Sequence, residues 1–233
     1  IGNKVLTLLY PHRCAGCDTV VSEEGTLCSS CMKKIRTLRE PTCLKCGKKV
    51  KSDEEVFCYD CARKHHEFER GFCVFEYKTV KESLYRFKYA GRAEYAKFYA
   101  KEAVKQYGDV IAQIGADALI PVPLHKKRYR MRGYNQAEEF AKAIARRIQI
   151  PVYGSYIRRV KNTVPLKKLS GIQRQNNLKR AFLIRQNDVK LKTIIVVDDI
   201  YTTGATIDAV AKECKRAGVK RVFFITVAAG EGL

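Results

Sequence analysis

The stretch Ile194-Ile195-Val196-Val197-Asp198-Asp199-Ile200-Tyr201-Thr202-Thr203-Gly204-Ala205-Thr206 decides the fold. Four β-branched residues in a row predict a strand buried on both faces, as parallel sheets require. The strand delivers two carboxylates to its C-terminal edge, where open α/β sheets bind ligands. Behind them come three threonine hydroxyls, a glycine and free backbone N–H groups. A helix beginning near Ala205 directs its positive end at the same spot, so the loop is built to hold a single phosphate. Carboxylates repel phosphate, and the acidic pair must serve another purpose. Two adjacent acceptors suit the hydroxyls of a ribose, with a divalent cation offsetting the remaining repulsion.

This segment resembles the loop that binds phosphoribosyl pyrophosphate (PRPP) in type I phosphoribosyltransferases, and the whole chain resembles the ComF family of competence proteins. The resemblance implies that Asp198 and Asp199 contact the ribose hydroxyls, while Thr202, Thr203, Gly204, Ala205 and Thr206 hold the 5′-phosphate and Mg²⁺ accompanies PRPP. In an active transferase Asp198 and Asp199 would be the catalytic residues. A strand ending in Asp-Asp also occurs as the Mg-binding strand of nucleotide hydrolases. That reading needs a partner G-x-x-x-x-G-K-[ST], which this chain lacks.

The first sixty residues carry a different chemistry. Eight cysteines form four C-x-x-C pairs, Cys14/Cys17, Cys28/Cys31, Cys43/Cys46 and Cys58/Cys61. Each pair makes a chelating turn, and two pairs complete one tetrahedral zinc site. Gaps of ten and eleven residues favour sequential sites, Cys14-Cys17-Cys28-Cys31 and Cys43-Cys46-Cys58-Cys61. The middle gap is also eleven, which leaves an interleaved, RING-like pairing open. The even count would also fit a disulfide framework. No apolar signal segment precedes the cysteines, and a PRPP-type site implies the cytosol, where thiols stay reduced, so metal is expected. Four thiolates per ion leave no open position, which makes both zinc sites structural. His12, His65 and His66 lie near as spare ligands, and Cys73 and Cys214 are expected to pack as small apolar residues.

A segment of this size with few large apolar residues folds on metal binding. The chain carries a formal net charge of +21, which two Zn²⁺ on eight thiolates lower to about +17. Such an excess attracts polyanions and makes their binding salt-dependent. Solubility or thermophily would also raise Lys and Arg, but with matching glutamate, and here the acids are lacking. No sequence-reading motif such as a helix-turn-helix is visible. No run approaches the roughly eighteen apolar residues of a membrane span.

The 233 residues suit two domains, a zinc-binding domain over 1–65 and a phosphoribosyltransferase-like domain over 66–233. Beyond the boundary, strands and helices alternate. Strands are predicted at Phe72–Tyr77, Ala118–Val122, Ile194–Val197 and Val219–Ala228. Helices are predicted at Val80–Tyr89, Glu94–Tyr107, after Asn135, and at Ala205–Ala217 ahead of Gly218. The fold class is therefore α/β, a mainly parallel sheet flanked by helices with an N-terminal zinc-ribbon domain.

Two polar stretches interrupt this pattern. Residues Lys126 to Arg132 hold five cations in seven positions and follow a buried strand on the ligand side of the sheet. By resemblance Leu124, His125, Lys126, Lys127 and Arg128 form the pyrophosphate-binding loop, with Arg132 and Asn135 beside it. Cations there stabilise the charge that develops on a diphosphate leaving group, although a charge run is more often a solvated face. Arg158 to Arg180 includes Gln173, Arg174, Asn177, Leu178 and Arg180, and resembles the flexible region of ComF proteins. It would close over the substrate, or it is a surface insertion.

The resemblance implies a cytoplasmic role in natural transformation, handling incoming single-stranded DNA, with PRPP, single-stranded DNA and other DNA-uptake proteins as partners. It leaves two readings: an accessory factor that binds PRPP, or a transferase passing phosphoribose from Mg-PRPP to a nitrogen nucleophile. The residues that would contact nucleic acid are not legible in the sequence.

Overall fold

The computed structural model describes residues 11–22, 25–160, 181–185 and 189–230. A four-stranded sheet, all parallel, has the order β1-β6-β5-β2, with β1 at Gly71–Glu76, β2 at Ala118–Pro121, β5 at Thr193–Tyr201 and β6 at Arg221–Ala229. A small antiparallel pair, β3 (Ile157–Arg159) and β4 (Phe182–Ile184), stands apart. Strand β5 is central, and Ile194 to Val197 are fully buried with alternate side chains entering opposite cores.

One face packs against α3 (Tyr77–Tyr89), α4 (Ala96–Ile114) and α6 (Gln136–Ile148), through Leu84, Phe87, Tyr99, Phe140 and Ile144. The other packs against α7 (Ala205–Arg216) and the second cysteine unit, whose Cys43, Cys46 and Val50 share a core with Phe224 and Ile207. The first cysteine unit lies on the opposite side, with Ala15 buried among the α3 and α4 residues. The two units thus straddle β1. The chain between them runs antiparallel along its outer edge, with Leu38 N–H donating to Val74 O at 2.8 Å. That strap pairs an edge that would otherwise stay open.

Several elements extend past their sequence expectation. Helix α3 starts directly at Tyr77, with no loop after β1. Gly108 does not stop α4, which runs to Ile114 and ends at Gly115 with φ 60°. Asn135 caps α6 as expected, accepting from Ala137 N–H at 3.2 Å. Glu138, in the first turn of the helix, pairs with Lys142 one turn on, at 2.8 Å. Most of the polar stretch around Gln173, Arg174, Asn177, Leu178 and Arg180 lies outside the described residues. Among the described residues, no helix is long and apolar enough to cross a membrane.

Candidate functional site

The eight ribbon cysteines gather in two groups, Cys14, Cys17, Cys28 and Cys31, and Cys43, Cys46, Cys58 and Cys61, with all sulfurs of a group within 4.8 Å of one another. This is the sequential pairing. All ten cysteines of the chain are free thiols, so the disulfide framework is excluded. Metal–sulfur bonds of about 2.3 Å in a tetrahedron require sulfur–sulfur edges of about 3.8 Å. Cys17 to Cys28 and Cys46 to Cys58 are each 3.7 Å apart, so the donor set fits Zn²⁺.

The local chain makes these groups. After the first pair, Asp18 adopts φ 69° and returns its N–H to Cys14 O at 2.8 Å; after the third, Gly47 at φ 72° does the same with Cys43 O. Each following pair starts a short helix, with Cys28 capping α1 (Ser29–Lys34) and Cys58 capping α2 (Tyr59–Arg63). Asp18 tolerates the left-handed region because Arg92, at 2.7 Å, and Tyr95 hold its carboxylate. Gly47 has no alternative: a Cβ there would lie 2.8 Å from Gly71 O. Hydrogen bonds from Thr19 bring the Cys17 thiol down to about 6, towards the thiolate that binds metal. His12 and His65 are exposed, and His66 turns away from the sulfurs, so none joins a described metal group.

The acidic pair does not sit at the strand's end. Strand β5 continues to Tyr201, and Asp198 is still paired with Thr226 of β6. Only on the other side does pairing stop, at Pro121 with Val197, because the chain leaves β2 there. The connections from β5 and β2 depart to opposite faces, which makes this gap a topological switch point. Burial, and next the Asp199 carboxylate, push the Asp198 carboxyl up to about 7. Lys88, near the end of α3, places Nζ 2.9 Å from Asp199 Oδ2. Two arginines add to the positive surroundings. Burial and then Arg132 hold Arg128 below its ordinary range, and burial and then Arg128 do the same to Arg159, while Asp199 raises Arg128 and Asp198 raises Arg159. Lys88 and Arg159 carry no motif, and the sequence reading missed both.

The cation stretch expected as a loop is a seven-residue helix, α5 (Lys126–Arg132). His125 caps it, Nδ1 accepting from Lys127 N–H at 3.3 Å. Lys126 and Lys127 are exposed, and Leu124, His125 and Arg128 are half-buried. Arg132 donates to Gln136 Oε1 at 2.7 Å and to Tyr89 Oη at 3.2 Å. Asn135 Nδ2 donates to Val122 O, tying the start of α6 to the end of β2.

Thr202 to Thr206 form the turn between β5 and α7. Gly204, at φ 76°, is its αL N-cap, and a Cβ would lie 2.8 Å from Tyr201 Oη and 2.9 Å from His66 Cε1. Thr203 Oγ1 is buried with no partner among the described residues, as are Tyr201 Oη and His66 Nε2. A buried hydroxyl left unmatched in a phosphate-sized turn fits an anion in that turn.

The turn is braced from behind by the segment leaving the second ribbon. Asp208, in the first turn of α7, accepts from His66 Nδ1–H at 2.9 Å, Lys64 Nζ at 3.0 Å and Glu67 N–H at 3.0 Å. Burial pushes its carboxyl up, but His66 and Lys64 outweigh that and hold it below its ordinary value. Tyr201 stacks on Phe224 at 4.8 Å, and Lys48, itself paired with Asp60 at 2.7 Å, lies 5.9 Å from the Tyr201 ring.

Comparisons agree with this two-part build. Residues 5–62 match the double zinc ribbon domain, and residues 135–232 match the phosphoribosyl transferase domain. Competence protein F of Haemophilus influenzae is 36% identical over 108 residues, 46% of this chain and 47% of that protein. Competence protein ComFC of Bacillus subtilis is 30% identical over 136 residues, 57% of this chain and 52% of that one. The DNA utilization protein YhgH of Escherichia coli is 30% identical over 106 residues, 46% of each. The chain thus spans about half the length of these curated relatives. Among solved structures, the purine phosphoribosyltransferase of Pyrococcus horikoshii Ot3 matches at 15% identity and a TM-score of 0.35, over 57% of this chain and 84% of that one. A double zinc ribbon is here joined to a phosphoribosyl transferase domain, and the chain is a homologue of the competence proteins F and ComFC.

Proposed function

We propose that this protein is a cytoplasmic accessory factor of natural transformation that handles incoming single-stranded DNA and binds PRPP at the β5–α7 turn. The observation that carries the ligand reading is the alignment of Asp198 and Asp199 with a glycine-capped threonine turn holding a buried, unmatched hydroxyl. In this reading Asp198 and Asp199 accept from the ribose hydroxyls, and Thr202, Thr203, Gly204, Ala205 and Thr206 take the 5′-phosphate. Leu124 to Arg128, with Arg159 and Lys88 near the same gap, face the diphosphate. Mg²⁺ arriving with PRPP would neutralise diphosphate charge. Lys88 already supplies a positive charge at Asp199. The two lobes meet at about residue 65, the first held by structural Zn²⁺.

The DNA half rests on the net charge of +21 and on the names of the relatives, two of them competence proteins and one a DNA utilization protein. One experiment tests both halves: calorimetry with Mg-PRPP and a salt-dependent titration of a labelled single strand, on wild type and on D198A/D199A. The double variant should lose PRPP binding and keep strand binding close to wild type. No heat with Mg-PRPP at millimolar concentration refutes the ligand reading, and equal loss of both ligands refutes separate sites.

A second reading, an active transferase, is favoured by the cations around the acidic pair, which suit charge building on departing pyrophosphate. Sustained pyrophosphate release that depends on one nitrogen base from a panel would support it. Slow release independent of base supports the accessory role.

A further inference from the structure

We propose that the outer face of α3, together with the adjoining α5, is a base-stacking platform for single-stranded nucleic acid. This rests on the single-strand half of the reading above and gives it a location. The inner face of α3 is complete without its outer tyrosines: Val80, Ser83, Leu84 and Phe87 are buried. Tyr85 and Tyr89, one turn apart, are nonetheless 61% and 55% exposed, with ring centroids 5.2 Å apart. The Arg132 guanidinium lies 4.9 Å from the Tyr89 ring and donates to its hydroxyl, joining the two helices into one surface. Tyr129 on α5 adds a third ring, 49% exposed.

Neither helix needs these groups for packing. No residue of helix α5 is fully buried, although the helix concentrates five cations. Lys81 continues the Tyr85–Tyr89 stripe one turn back on α3, and Lys126, Lys127 and Arg130 are exposed on α5, against the single acid Glu82 on the α3 stripe. Exposed rings interleaved with cations match a strand whose bases are splayed and whose phosphates lie alongside, because every base offers a π-face. A duplex hides those faces within its own stack. An apolar protein partner would meet a surface dominated by like charge. Lys88, the residue before Tyr89, pairs with Asp199, so a strand on this platform would lie at the mouth of the sugar-phosphate gap.

The chain contains no tryptophan, so Tyr85→Trp introduces a single indole at the platform. Its emission should be quenched saturably by oligo-dT or oligo-U, and not by a duplex of the same length. Y85A/Y89A should weaken oligo-dT binding by about tenfold or more, while Y85F/Y89F, which keeps the rings, stays within about twofold of wild type. Because both side chains face solvent, the alanine variant should melt within a few degrees of wild type. Unchanged oligo-dT affinity in Y85A/Y89A, or an indole equally quenched by duplex, overturns the platform. A wild-type protein that binds no single strand overturns the underlying reading, and the platform with it.

Discussion

Asp208→Ala removes the acceptor that ties the second ribbon's exit segment to the phosphate turn. The carboxylate receives three hydrogen bonds, from His66, Lys64 and the Glu67 backbone. His66 is wholly enclosed and Asp208 nearly so, whereas Lys64 keeps about a third of its side chain in solvent. Removing one member of a fully buried charged set costs about 3–5 kcal/mol; with Lys64 partly hydrated, the lower figure applies, about 3 kcal/mol. In a chain of this size each kcal/mol lowers Tm by about 2–4 °C, so a fall of roughly 6–12 °C is expected by calorimetry. The loss falls on the turn. Gly204 sits against the His66 ring, and about 1.4 kcal/mol of lost ordering there is a tenfold loss of affinity. Titrating Mg-PRPP into wild type and D208A, each with metal and after chelation, closes a cycle. Chelation should weaken wild type about tenfold or more and add little in D208A, because both perturbations release one brace. Losses that simply add, or a D208A protein that melts early yet binds within about twofold of wild type, would refute the brace.

The raised Asp198 carboxyl gives a pH signature. A carboxyl lifted to about 7 binds its proton more tightly in the folded state, so its stabilising contribution is present below the unfolded value near 4 and disappears as pH rises through 7. Tm should therefore fall more steeply between about pH 4 and 7 in wild type than in D198N and level off above that, while PRPP affinity, which needs the carboxylate as acceptor, rises as pH approaches 7 and then flattens. A calorimetric series without either slope contradicts this. Lys88→Met removes the cation 2.9 Å from Asp199, so the rise in affinity should move to higher pH and binding near pH 7 should drop about tenfold; an unmoved profile would exclude Lys88 from setting the charge of the pair. Elemental analysis should find two Zn²⁺ per chain, and chelation should abolish amide protection over residues 14–61, since structural zinc contributes about 10–16 kcal/mol in small modules. Protection that survives chelation would mean that apolar packing holds the ribbons.

What the sequence made legible follows from how local each signal is. Ile194 to Val197 and the turn after them are contiguous, and strand, turn and helix form in the order the pattern puts them, although the strand runs on through the acidic pair to Tyr201. Asn135 announces the start of α6 in the same local way. The cation stretch misled because its charge drew attention away from its composition: Lys, Arg and Met are good helix formers, and His125 supplies a cap. The spacing favours the sequential zinc pairing that is observed but leaves the interleaved one open, because the gaps between pairs are nearly equal and the pairing depends on which turns lie side by side. The brace was invisible for the opposite reason. His66 and Asp208 are 142 residues apart, and neither belongs to a motif. Lys88 and Arg159 reach the acidic pair only through the packing of α3 and the β3–β4 pair.

The strap along β1 has a consequence for the protein's life without metal. Its position depends on the two cysteine units that anchor its ends, one on each side of the sheet. Starved of zinc, the strap would lift and bare the rim of Phe72-Cys73-Val74-Phe75, a short aromatic and β-branched run with no charge to deter pairing with another molecule. Zinc bound at the two cysteine groups would therefore also guard against self-association, and the apo chain should precipitate before its larger lobe melts.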